Sequence, residues 1–124
     1  MAPVATMLAL TLNYQNEISM CDLNISRITT KQHSMLRQST SLAQEKQGEL
    51  AEISQDDPQY YDKREEIKDK YEAKEKEIKE LEEEMTLELD DWQDRREMAQ
   101  TYLQSYQAGL QSGLQSSFQP FPTQ

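Results

Sequence analysis

Ser54-Gln55-Asp56-Asp57-Pro58-Gln59-Tyr60-Tyr61 is the stretch that decides the fold. Pro58 pushes Asp57 out of the α region, while its own fixed φ suits a first helical position, where a missing N–H is no loss. Asp57 is then placed to cap the free amides of a following helix, and its charge favours the positive helix end. Outward from this point, breakers are few: Pro3 at the start, Pro120 and Pro122 at the end, with Gly48, Gly109 and Gly113 between. The sequence predicts a helix over about 4–53, a turn over about 54–57, a second helix over about 58–115 and a short irregular tail over 116–124.

Hydrophobic spacing supports the same division. From Met7 through Thr11, Tyr14, Ile18, Cys21, Ile25 and Ile28 to Ile53, the first helix steps alternately by four and three. The second does so from Tyr60 through Tyr71, Ile78, Leu81, Met85, Glu88, Trp92, Arg95, Ala99 and Tyr102 to Tyr106. That alternation is a heptad seam. Polar seam positions at Gln32, Ser39 and Lys46 are expected to be relieved by Leu36, Ala43 and Leu50. Late in the second helix, Leu89, Leu103, Leu110 and Leu114 take over as the stripe drifts. Helices of about fifty residues are each roughly 75 Å long, and a short turn makes them antiparallel neighbours. Reflection about the turn sets Ile28 near Met85 and Met7 near Tyr106. The expected class is all-α: two long helices in an antiparallel coiled-coil hairpin.

The chain has 124 residues, 35% of them hydrophobic, and a formal net charge of -10. That apolar fraction lies below the roughly 45–50% of an ordinary globular domain, so a thick single core is not expected. The acidic balance argues against nucleic acid or an anionic membrane surface as partner. No stretch is apolar enough to cross a bilayer. The run from Val4 to Leu10 has no basic leader, since no Lys or Arg precedes Arg27, so a cleaved secretory signal is not expected. Charge is unevenly spread: residues 1–44 hold three basic and two acidic side chains, 45–98 hold ten basic and twenty-one acidic, and 99–124 hold none. Pairs such as Glu66–Lys70, Glu72–Lys76 and Glu75–Lys79 fit a solvated helix face.

Little in the sequence points to chemistry. His33 has no second His or Cys at ligand spacing, and Cys21 falls on the seam, where a thiol behaves as a small hydrophobe. Neither a twelve-residue calcium loop nor a phosphate-cradling glycine loop occurs. No catalytic residue, metal or cofactor is expected, and no enzyme.

The uncharged ends are more informative. Leu103, Tyr106, Leu110, Leu114 and Phe118 form one stripe, with Gln100, Gln104, Gln107, Gln111 and Gln115 beside it. On the first helix Leu8, Leu10, Leu12, Met20 and Leu23 lie off the seam, so a partner helix alone does not cover them. Burying a Leu or Met is worth about 1.5–3 kcal/mol, so these ten apolar residues are read as a self-assembly interface between copies of the chain. Gly109 and Gly113 would permit close helix approach there.

The turn region also resembles the needle subunits of bacterial type III secretion systems, small helix–turn–helix proteins whose loop carries a Pro-x-Asp/Asn-Pro element before two large apolar residues. Asp57-Pro58 matches the end of that element, Asp56 precedes it, and Tyr60 and Tyr61 stand where the large residues would be; Gln55 replaces the first proline. The resemblance implies a filament whose terminal helices form the core. The expected function is a structural subunit assembling through its uncharged terminal halves into a helical filament or tube, a secreted needle-like filament by the resemblance. A cytoplasmic coiled-coil adaptor or chaperone of an export or other multiprotein machine is the alternative. Location is expected to be either a bacterial extracellular filament exported without a cleaved signal, or the cytoplasm. A secretion machine or chaperone would then be a further partner.

Overall fold

A computed structural model describes residues 3–118, with side chains through Ser112. The chain is all-α: α1 spans Val4–Ala51 and α2 spans Tyr60–Phe118, the two packing against each other. Among the described residues there is no strand.

The connection carries out its capping locally. Asp57 Oδ1 accepts from the Gln59 amide at 2.8 Å, and the Tyr60 amide donates to the Asp57 carbonyl at 3.0 Å. This i→i−3 bond makes a tight first turn through Pro58 and Gln59, so regular α2 starts at Tyr60 rather than at 58. At the other end, Ile53 N–H reaches Leu50 O, again i→i−3, and α1 stops at Ala51 instead of 53. The second helix in turn runs past 115 to Phe118, so residues 116–118 are helical where a tail was expected.

Contacts divide the molecule into two compact units: residues 1–26 with 90–124, and residues 27–89. In the second unit the helices run antiparallel, with Lys46 paired to Glu75 at 3.0 Å and Lys70 to Glu49 at 2.8 Å. Lys70 and Glu75 thus reach across to α1 and not to their expected i, i+4 neighbours. Ile28 and Tyr71 are buried there. Gln32, Ser39 and Lys46 keep their seam places, half-buried, whereas Leu36 is 63% exposed and Ala43 is exposed. The relief expected from Leu36 and Ala43 does not occur, because both lie outside the strip that α2 covers.

On α2 the inward positions are Tyr60, Arg64, Ile67 and Tyr71, then Ile78, Glu82, Met85 and Leu89. Lys74, Leu81 and Glu88 are exposed. Two successive steps of four, 74–78–82, replace the expected four and three, which is the stutter that locally unwinds a coiled coil.

In the first unit the helices are also antiparallel. Tyr14 stacks on Tyr102 and Tyr106, with centroids 5.5 and 5.7 Å apart, and Arg95 and Arg96 pair with Glu17 and Asp22. The α2 positions facing inward are Trp92, Arg96, Ala99, Leu103, Tyr106 and Leu110. Arg95 and Tyr102, expected on the seam, are exposed beside it. Met7 settles against Gly109, where a Cβ would stand 2.8 Å from the Met7 Cε. The close approach permitted by Gly109 is therefore made within one chain.

Candidate interaction surface

The surface in question belongs to the first unit. Its α1 seam is Met7, Thr11, Tyr14, Ile18, Cys21 and Ile25, each buried or half-buried. Thr11, a polar seam residue, donates its hydroxyl to the Met7 carbonyl at 2.8 Å, so no unpaired group is introduced. At 100° per residue, Leu8, Leu12, Met20 and Leu23 lie about 100–160° around the helix from this seam. All four are exposed, Leu23 most at 71%. Leu10 is half-buried at the edge of the seam.

The α2 half of the expected interface is placed differently. Leu103 is only 7% exposed and Tyr106 and Leu110 are half-buried. These residues are spent on the contact with α1, so they correct the expectation of a free apolar stripe on α2. The side chains of Leu114 and Phe118 lie outside the described ones, as do Gly113 and Gln115. Gln104, Gln107 and Gln111 are exposed and Gln100 half-buried.

On α1 the charges of this unit are met internally, although α2 adds Asp90, Asp91, Asp94 and Glu97 and leaves the unit net negative. Residues 3–26 contain two acids, Glu17 and Asp22, and both are met by arginines of α2. Arg95 donates from Nε to Glu17 at 3.1 Å and lies 4.6 Å over the Trp92 ring. The α1 outer face therefore presents apolar surface beside neutralised charge. Cys21 is fully buried beneath it, and burial, with the nearby Glu17 charge, pushes its thiol above the ordinary range. A thiol so held stays protonated and unreactive. His33 is exposed in the second unit.

A groove of about 440 Å³ opens between the helices on the other flank, lined by Leu10, Asn13, Tyr14, Met98, Ala99 and Tyr102 and by the paired Glu17 and Arg95. Met98 is 61% exposed. Sequence reasoning missed it, having assigned Tyr102 to the seam; extending the Leu103–Leu110 spacing backwards to Arg96 would have moved Tyr102 to the groove edge.

The turn residues belong to the second unit. Tyr60 is half-buried and accepts a hydrogen bond at its hydroxyl from Arg64 at 2.8 Å, while Tyr61 is exposed, edge-on to Tyr60. Asp56 is exposed, and its amide donates to Ser54 Oγ. Lys63 and the Gln59 amide hold the Asp57 carboxyl below its ordinary range.

Among the described residues no group of acids, His and Cys could hold a metal ion, and no helix is long and apolar enough to cross a membrane. No protein-family model matches the chain, and comparison with curated proteins and with solved structures gives no match.

Proposed function

We propose that the chain is a structural subunit that associates with copies of itself through the outer face of α1 in the first unit, building a filament or tube. One observation carries this reading. Leu8, Leu12, Met20 and Leu23 stay exposed although α1 already has a complete seam against α2. Leu8 with Leu12, and Met20 with Leu23, form two exposed apolar pairs on one helix, separated by Asn16 and Ser19, and exposed apolar surface beyond what the internal seam uses is where a partner would dock. The pairing of Glu17 and Asp22 within the chain supports a like partner in particular, since a second copy meets no unpaired acid on that face. The needle-subunit likeness at Asp56, Asp57, Pro58, Tyr60 and Tyr61 points the same way for the filament.

Electron microscopy and sedimentation over a rising concentration series test the proposal. Growing particles are expected; a folded species that stays single at high concentration overturns it. A fixed small oligomer that does not grow favours the coiled-coil adaptor instead. Leu23→Asp, at an exposed position, is expected to abolish assembly with helix content by circular dichroism unchanged.

A further inference from the structure

We propose that the groove edged by Leu10, Tyr14, Met98 and Tyr102 receives the segment Gln119-Pro120-Phe121-Pro122 of a second copy. The proposal rests on the self-assembly reading and names a second contact between copies, weaker than the α1 face and insufficient for growth without it. Receptor and segment match in chemistry. Leu10, Tyr14, Met98 and Tyr102 give the groove apolar and aromatic walls, and its volume of about 440 Å³ is that of a small-ligand site. Residues 118–124 contain two phenylalanines and two prolines and no charge. Proline-rich segments dock in aromatic-lined grooves because their extended form is preset and little entropy is lost on binding. Pro120 and Pro122 also lack N–H groups, so the segment offers carbonyl acceptors. Asn13 and Arg95 place N–H donors at the groove rim, and only two of the five Arg95 donors are used on Glu17.

The grooves of the second unit fit this segment less well. One is edged by Glu45, Lys74 and Glu77, another by Glu49, Glu52, Asp57, Lys63 and Glu66. The groove at Tyr102 carries two charges, Glu17 and Arg95, which are paired with each other; in the second unit an uncharged aromatic segment would have to strip water from more charges without replacing it.

Reach decides which copy supplies the segment. Sixteen residues of α2 separate Tyr102 from its end at Phe118, about 24 Å at the helical rise. Phe121 lies three residues beyond, a span of at most ~11 Å even fully extended. A chain's own Phe121 therefore falls short of its own groove while α2 persists, and the donor is another molecule. A contact joining the end of one copy to the flank of the next is heterologous, and such contacts give open-ended assemblies unless the rotation closes a ring.

Calorimetric titration of a synthetic Phe118–Gln124 peptide into the full chain bearing Phe121→Ala and Leu23→Asp reads the contact apart from the α1 face. Saturable binding is expected, weakened at least about tenfold when Met98→Lys is added to the protein or Phe121→Ala to the peptide. Absence of saturable binding, or binding that neither change affects, overturns the proposal. In the Leu23→Asp background, a Phe121→Ala chain mixed with a Met98→Lys chain is expected to give a one-to-one heterodimer. No heterodimer, with the Phe121→Ala chain still binding peptide, also overturns it by returning the segment to its own chain. Should Leu23→Asp abolish assembly while Phe121→Ala leaves it intact, the groove contact fails and the self-assembly reading stands. Peptide binding and heterodimer formation by a chain that never grows beyond a small complex would sink that reading and keep the groove contact.

Discussion

Asp57 does three jobs with one carboxylate: it accepts from the Gln59 amide, pairs with Lys63, and stands beside a proline that prevents α1 and α2 from fusing. The cap and the break were legible from the dipeptide Asp57-Pro58, because capping chemistry is local and needs no knowledge of tertiary packing. What was not legible was the start of α2, since a tight i→i−3 turn and an α turn satisfy the same residues. The charge of Asp57 has a pH signature. Lys63 and the Gln59 amide lower its pKa in the folded state, as the hydrogen bond from Lys70 lowers that of Glu49. A folded pKa below the unfolded one stabilises the protein above the ordinary carboxylate range, and the contribution disappears as pH falls through the lowered values. Lys70 is raised by Glu49, so its contribution is present below the ordinary lysine pKa and lost as pH climbs through the raised one. Thermal melts of Asp57→Asn are therefore expected to show a lower Tm than the wild type near neutrality. The two curves should converge as pH falls through the lowered Asp57 value, where both side chains become uncharged.

At the scale of the element, the two helices were unequally readable. On α1 the alternation from Met7 to Glu49 marks positions that are all buried or half-buried, because one unbroken heptad phase runs along it. On α2 the phase changes at 74–78–82, and extrapolating the earlier phase assigned Leu81, Glu88, Arg95 and Tyr102 inward when they face out. A straight helix of 3.6 residues per turn slips steadily against a 3.5-residue pattern, and a four-residue stutter absorbs that slip. Leucine spacing at 89, 103 and 110 carried the correct phase, but a drifting stripe does not say where the change happens. The same ambiguity misplaced three residues of the candidate interface: Leu103, Tyr106 and Leu110 are part of the internal contact, whereas the exposed leucines of α1 were legible because they stood off a phase that never changes. Stability should follow the observed phase. Leu103→Ala is expected to cost about 2–5 kcal/mol, as core truncations do, while Leu81→Ala, at an exposed position, stays within about 1 kcal/mol. Glu82→Leu, at a half-buried seam position, should raise the urea midpoint. A larger loss at 81 than at 103 would restore the unshifted phase. Packing of the first unit can be followed independently at Cys21: its buried thiol should resist alkylation in native buffer and react at the free-thiol rate once urea opens that unit.

For the whole molecule the governing quantity is charge, and composition sets it. Of 23 acids, 17 fall within residues 27–89 together with 11 of the 13 basic residues, so the second unit keeps a net negative charge after its ion pairs are counted. Any assembly of like chains brings those charges closer, while the apolar face of α1 supplies attraction that does not depend on ions. The two effects respond differently to salt. Raising ionic strength from 0.01 M to 0.15 M shortens the screening length from about 30 Å to about 8 Å, which weakens repulsion between copies and leaves apolar burial nearly untouched. The concentration needed for assembly should accordingly fall as salt rises, and light scattering at fixed protein concentration should increase. Assembly held together by ion pairs between chains would do the reverse, dissolving as salt is added. Leu8→Gln with Leu12→Gln separates the contributions further, because it removes attraction without adding charge: assembly should be lost at every salt concentration rather than shifted along the series.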